Sequence, residues 1–223
     1  MNNNSSFDID RLAKVYLIAK KYVINNGFSN EIDWQDDVSF ISIDQQYFLK
    51  EYTWVVLASG LSDKVVSIIF PKMQKIFKNW EDLDYIVKNE IELKLKALAI
   101  FNNDGKINAL FRTVSFIREV GFEYFKREIQ KKGLDYLKEL SYIGQTTCFH
   151  LAKNIGLSYA KPDRHLMRVS ESIGFDTPHD LCSVLSEFID EKIQVVDLVI
   201  WRYATLDKNY AIKLKQIDFN EIN

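Results

Sequence analysis

Apolar residues return along this chain every three or four positions. Leu12, Val15, Tyr16, Ala19 and Val23 do so between Phe7 and Asn25, which predicts an amphipathic helix with Gly27 as its stop. Gln46 to Ser59 is more continuously apolar and predicts a buried helix ended by Gly60. Ser62 and Asp63 read as the cap of a helix through Phe70, with Pro71 opening the next one. Trp80 to Val87, Ile91 to Phe101, Lys106 to Val120 and Phe122 to Lys131 continue the helical pattern. Asn102-Asn103-Asp104-Gly105 supplies turn chemistry among them. Strand-type alternation is confined to Val38 to Ile43, and nothing nearby pairs with it. The expectation is an all-α protein.

Composition narrows the class. The 223 residues suit one domain or two small intimate ones. At 47% hydrophobic and 27% charged, the chain is neither disordered nor fibrous, and three prolines leave room for long helices. No apolar run reaches the roughly 18 residues of a membrane span. Met1 to Ser6 is Asn- and Ser-rich, without a basic segment followed by an apolar core, so a cytoplasmic location is expected. Cys148 and Cys182 lack CxxC partners, so no four-cysteine metal site can form within the chain, and no metal is expected. The net charge is −2, whereas a generic nucleic-acid binder is basic; any positive contact surface must be local.

The most informative stretch runs from Gly133 to Phe175. Leu134, Leu137 and Leu140 share one face of a short helix, and Ser141-Tyr142-Ile143-Gly144-Gln145 makes a tight connection. Cys148, Leu151, Ala152 and Ile155 then form the apolar face of a second helix ending at Gly156. The start of such a helix offers free backbone N–H groups and a positive dipole end to a phosphate. On spacing alone, an ordinary αα-hairpin is the better reading. Further on, Lys161-Pro162-Asp163 leads into a helix whose apolar face is Leu166, Val169 and Ile173, with Asp163 at the N-cap. Taken alone, Asp163 reads as a plain cap and His165 as a packed or capping histidine.

Together these residues resemble the helix-hairpin-helix DNA glycosylases of base-excision repair. That family carries a hairpin of the form L-P-G-I-G-x-x-T-A, then a loop ending in an aspartate followed by x-H-h-x-R (h apolar). Here the hairpin is Leu140-Ser141-Tyr142-Ile143-Gly144-Gln145-Thr146-Thr147-Cys148, and the aspartate segment is Asp163-Arg164-His165-Leu166-Met167-Arg168. Tyr52 to Asp63 looks like the family's first core helix with its exit loop, and Ile100 to Asn103 with Lys106 like a later turn. The resemblance covers about residues 46 to 175. It implies two helical subdomains flanking a cleft. Residues 46–160 form one and end in the helix-hairpin-helix of about 134–156; residues 1–45 with 161–223 form the other.

The departures carry their own implications. The first hairpin glycine is Tyr142 here, a residue that does not take a positive φ cheaply. The lysine of the bifunctional members is Thr146, so no Schiff base forms there and a monofunctional enzyme is implied. No cofactor is required; a monovalent cation on the hairpin backbone is the one candidate. Double-stranded DNA is the implied partner of a monomer with no membrane association.

The resemblance also assigns roles. Asp163 would stabilise cationic charge on the sugar and orient the attacking water. Trp54, Tyr52, Glu51 and Trp201 are candidates for the pocket of the flipped base. Gly144, Gln145 and Thr146 would meet phosphate through the backbone, with Lys106 and Arg164, and with Lys153 as a further lysine. Leu61 and Ile100, with Phe101 next, are candidate wedges for the vacated stack. Helix-end packing is an equal reading of the wedges. Core packing is the slightly better reading of Trp201, and a solvated helix-end charge the commoner one for Glu51. An alkylated purine is the leading substrate, since aromatic faces stack a cationic base. A hypermodified phage base excised in antiviral defence, and a non-catalytic DNA-binding or interaction module, are the alternatives.

Overall fold

The computed structural model describes residues 8–210 and 213, and no strand occurs among them. The helices are α1 (Ile9–Val23), α2 (Ser29–Asp37), α3 (Gln45–Ala58), α4 (Asp63–Ile76), α5 (Leu83–Lys88), α6 (Glu90–Ile100) and α7 (Asp104–Val120). After them come α8 (Phe122–Lys132), α9 (Leu134–Lys138), α10 (Thr147–Asn154), α11 (Arg164–Ile173), α12 (Pro178–Ile189) and α13 (Ile193–Leu206). None of the described helices is long and apolar enough to cross a membrane. Neither cysteine is in a disulfide, and both are buried.

The chain forms two compact units, one of residues 39–155 and one of residues 1–38 with 156–223. The borders stand at 38/39 and 155/156, against the expected 45/46 and 160/161. Hydrogen bonding accounts for the first shift and burial for the second. Lys126 of α8 donates to the carbonyls of Ile41 and Ile43 at 2.7 and 2.8 Å, which ties that turn to the 39–155 unit. Ala160 is buried in the core of the other unit.

The 39–155 unit is built around α3, which packs on α4, α7 and α10. Phe48, Leu49, Tyr52, Val55, Val56 and Leu57 of α3 are all fully buried. Rings extend this core: Phe48 meets Phe125 edge-on at 4.8 Å, and Phe77 lies between Trp80 and Phe111. In the other unit α13 is central and packs on α1, α2, α11 and α12. Tyr16 and Lys20 of α1 both donate to Glu191, just ahead of α13, and burial pushes the Tyr16 phenol far up.

Several expectations change in detail. The first helix starts at Ile9, and Phe7 lies outside the described residues. Past α1 the chain does not stop but runs through a wide π-type turn, Ile24–Phe28, into α2, with Gly27 at φ +89°. Pro71 opens no new helix; α4 continues through it. A mid-helix proline costs about 3 kcal/mol, and burial of Val66, Phe70 and Met73 on the inner face of α4 offsets it. Ser62 stands at the N-cap of α4 without a side-chain bond. Asp104 and Gly105 belong to α7 rather than to the turn before it; Asn103 caps that helix by accepting from the Lys106 amide at 3.0 Å. The segment from Val38 to Ile43 is a turn that buries Val38, Phe40 and Ile43.

Candidate functional site

The hairpin between α9 and α10 lies in the 39–155 unit. Leu137, Leu140, Ile143, Cys148, Leu151, Ala152 and Ile155 are buried, as their spacing predicts. Tyr142 adopts φ +64°, the left-handed conformation that a glycine would supply without strain. For a residue with a Cβ this costs about 1–2 kcal/mol. The flanking residues hold it there. The Ile143 amide donates to the Leu140 carbonyl at 3.1 Å. The Tyr52 hydroxyl donates into the space between Ser141 O, at 2.7 Å, and Ala109 O, at 3.1 Å. The ring of Tyr142, itself exposed, lies against Gly105 in the first turn of α7.

Donors at the start of α10 are arranged differently from the expectation. The Gly144 amide is already engaged, donating to Thr147 Oγ1 at 2.7 Å. The Gln145 and Thr146 amides have no acceptor among the described residues, and both residues are exposed. An anion arriving at this end would therefore meet Gln145 and Thr146 first, not Gly144.

Three pocket candidates lie on α3. Tyr52 is wholly buried, so its ring is a strut joining α3 to α7 and the hairpin and offers no face to a base. Burial raises its phenol pKa above the ordinary range. Glu51 is also buried rather than solvated. Its Oε2 accepts from Asn154 Nδ2 at 3.0 Å, and Lys50 Nζ is 3.8 Å from Oε1. Burial raises its carboxyl pKa, and the nearby Lys50 and the Asn154 bond only partly offset this. Tyr47 donates to the Asn154 carbonyl at 3.1 Å, so α3 holds the end of α10 by both main chain and side chain. Trp54 is half-buried and meets Phe70 of α4 edge-on at 5.2 Å.

Lys106, expected on phosphate, is buried. Its ammonium donates to the carbonyls of Leu57 and Ser59 at 2.9 and 2.5 Å and so caps the C-terminal end of α3. Burial lowers its pKa. A charge engaged this way serves the fold before it serves a ligand. Lys153 is buried as well. Leu61, in the loop between α3 and α4, and Ile100, the last residue of α6, are half-buried, as is Phe101. A cavity of about 310 Å³ lies among Arg112, Phe116, Tyr136 and Ser141, and none of the candidate residues lines it.

Asp163 belongs to the other unit and caps α11. Its Oδ1 accepts from the His165 and Leu166 amides at 2.8 and 3.0 Å. Its Oδ2 has no hydrogen-bond partner among the described residues, and the side chain is half-exposed. Arg164 is exposed, with Nε 3.4 Å from His165 Nε2. His165 Nδ1 and Arg168 both reach the buried Tyr210 hydroxyl, at 3.2 and 3.4 Å. Trp201 is half-buried against the core, with the Arg202 guanidinium 4.6 Å from its ring centroid. Arg202 is held by a two-pronged ion pair to Glu31, at 2.9 and 2.6 Å.

Sequence reasoning assigned no role to Asp197. This residue of α13 is a buried carboxylate, and its Oδ2 accepts from the Lys161 amide at 2.6 Å. The available signal was a lone acid inside Val195-Val196-Asp197-Leu198-Val199-Ile200, where every neighbouring position is apolar. No protein-family model, no curated protein and no solved structure matches the chain.

Proposed function

We propose that the protein is a monofunctional DNA glycosylase that hydrolyses the N-glycosidic bond of a flipped, damaged or modified base. The observation that carries the reading is the division of labour at Asp163. One carboxylate oxygen caps α11 and thereby fixes the side chain; the other is uncommitted and solvent-accessible from a half-exposed position. A carboxylate so held can face the positive charge that grows on deoxyribose as the base departs. Water attacks the anomeric carbon, the base leaves with the bonding electron pair, and the water's proton passes to a base such as the free Asp163 oxygen.

The unengaged Gln145 and Thr146 amides at the start of α10 support phosphate binding by the hairpin. A monovalent cation on the hairpin carbonyls belongs to the same proposal. Thr146, where bifunctional enzymes carry lysine, supports hydrolysis without strand cleavage. Of the pocket candidates, Tyr52 and Glu51 are buried, whereas Trp54 in one unit and Trp201 in the other are each half-buried. An alkylated purine fits aromatic stacking best.

The test is base release from duplex oligonucleotides carrying single lesions and from phage DNA with modified bases, with abasic sites cut in hot alkali. Alkali-dependent cleavage that falls about a thousandfold in Asp163→Asn is the expected result. Cleavage before alkali would replace hydrolysis by a lyase mechanism. Excision confined to phage DNA would move the role to antiviral defence. DNA binding without excision of any base would leave a non-catalytic binding module.

A further inference from the structure

The geometry points to Asp197 as a positioning residue that sets the place of Asp163 by holding the backbone ahead of it. This inference rests on the glycosylase reading above for its consequence, but not for its geometry. The loop Lys161-Pro162-Asp163 has only two backbone N–H groups, because proline has none. Both are committed. The Lys161 amide donates to Asp197 Oδ2 at 2.6 Å, and the Asp163 amide donates to the Lys161 carbonyl at 2.8 Å. The same peptide segment is thus pinned by its amide to α13 and by its carbonyl to Asp163. Pro162 fixes the one intervening φ near −65°. Downstream, Oδ1 of Asp163 is pinned by the first turn of α11.

Asp197 is 1% exposed and sits between Val196 and Leu198 on the most buried stretch of α13. A carboxylate in such surroundings is costly unless hydrogen-bonded. Capping plain loop geometry would not require an acid there, since a backbone carbonyl or a serine accepts an amide proton at lower cost. A short charge-assisted bond to the amide two residues before the candidate catalytic group is what a rigid support for that group needs. Asp197 does not touch the reacting atoms; it acts through Lys161 and the turn to Asp163.

Two substitutions and two readouts test this. Asp197→Asn keeps an acceptor oxygen, whereas Asp197→Leu keeps the volume and removes it. The expected result for Asp197→Leu is a single-turnover rate of base release lower by about 100-fold, the scale of a 1 Å misplacement, with unchanged affinity for duplex DNA. Asp197→Asn should lose much less. Amide exchange of Lys161, read by NMR, should accelerate strongly in Asp197→Leu and little in Asp197→Asn. Where Asp197→Leu does not fold, Asp197→Ala, which removes the acceptor without adding an aliphatic branch, takes its place in both readouts. A Lys161 amide that exchanges at the wild-type rate when the acceptor is removed would overturn the anchoring. Wild-type turnover in a variant whose Lys161 amide has been freed would overturn the positioning role. A wild-type protein that releases no base sinks the glycosylase reading alone, because the exchange comparison still reports whether Asp197 holds the loop.

Discussion

The hydroxyl of Tyr142 stands 2.7 Å from the point where a Cβ on Gly105 would be, so the tyrosine packs on the bare backbone of α7's first turn. That contact accompanies a left-handed backbone at Tyr142, φ +64°. Tyr142→Gly gives up the ring contact but relieves the strain, and the two changes are of similar size, about 1 kcal/mol each. Tyr142→Val gives up the contact and puts a β-branched residue where it fits worst. Urea denaturation should place the glycine variant near wild type and the valine variant about 2 kcal/mol below it. Equal losses in both would mean that the backbone at 142 is not strained in solution.

Lys106 separates a fold-holding cation from a DNA-binding one. Lys106→Met keeps the aliphatic stem but leaves the Leu57 and Ser59 carbonyls at the end of α3 without their donor. The expected loss of stability is about 1–3 kcal/mol. On the proposed glycosylase reading, the salt dependence of DNA binding should keep its slope, whereas removal of a true phosphate contact lowers that slope by about 1. A shallower slope in Lys106→Met would restore the residue to the DNA surface.

Asp163 and Lys106 show where sequence reading works and where it stops. The cap at Asp163 was legible because its partners are the amides two and three residues on. The role of Lys106 was not, because its acceptors lie 49 and 47 residues away along the chain, and nothing local marks them. Helix α2 escaped notice because Ser29–Asp37 buries only Ile32 and Gln35, too few positions to make a periodic stripe. Pro71 suggested a helix start by its local rule, and the apolar face of α4 overrode that rule. Tyr142 keeps a turn that its own preference opposes, since contacts from Tyr52 and Gly105 outweigh it. Local signals thus gave the elements, whereas long-range hydrogen bonds decided which charged and aromatic side chains are structural.

Glu51 gives the pH dependence. Burial raises its pKa in the folded chain above the ordinary 4.5, so the folded state holds this proton more tightly than the unfolded state. Its favourable contribution is whole below about pH 4.5 and is lost as pH rises through the raised folded value. Glu51→Gln is neutral at every pH and keeps an oxygen for Asn154 Nδ2. The variant should therefore gain on wild type as pH rises from about 5 to 8, read as the urea midpoint at each pH. Parallel pH profiles for the two proteins would show that Glu51 ionises as freely when folded as when unfolded.

Asp163 is given two tasks, capping and catalysis, and a pair of variants can take them apart. Asparagine is as good an N-cap as aspartate, because its Oδ1 accepts the same amides from His165 and Leu166. Alanine caps nothing. Asp163→Asn should unfold at the wild-type urea concentration, and Asp163→Ala should lose about 1 kcal/mol. Base release should be lost in both, since neither variant has a carboxylate to face the sugar cation or accept the water's proton. Stability would then follow the cap, and activity would follow the charge. If instead Asp163→Asn kept its activity, the carboxylate would be no more than a cap. Hydrolysis would then need another base, and the uncommitted oxygen of Asp163 would no longer support a glycosylase reading.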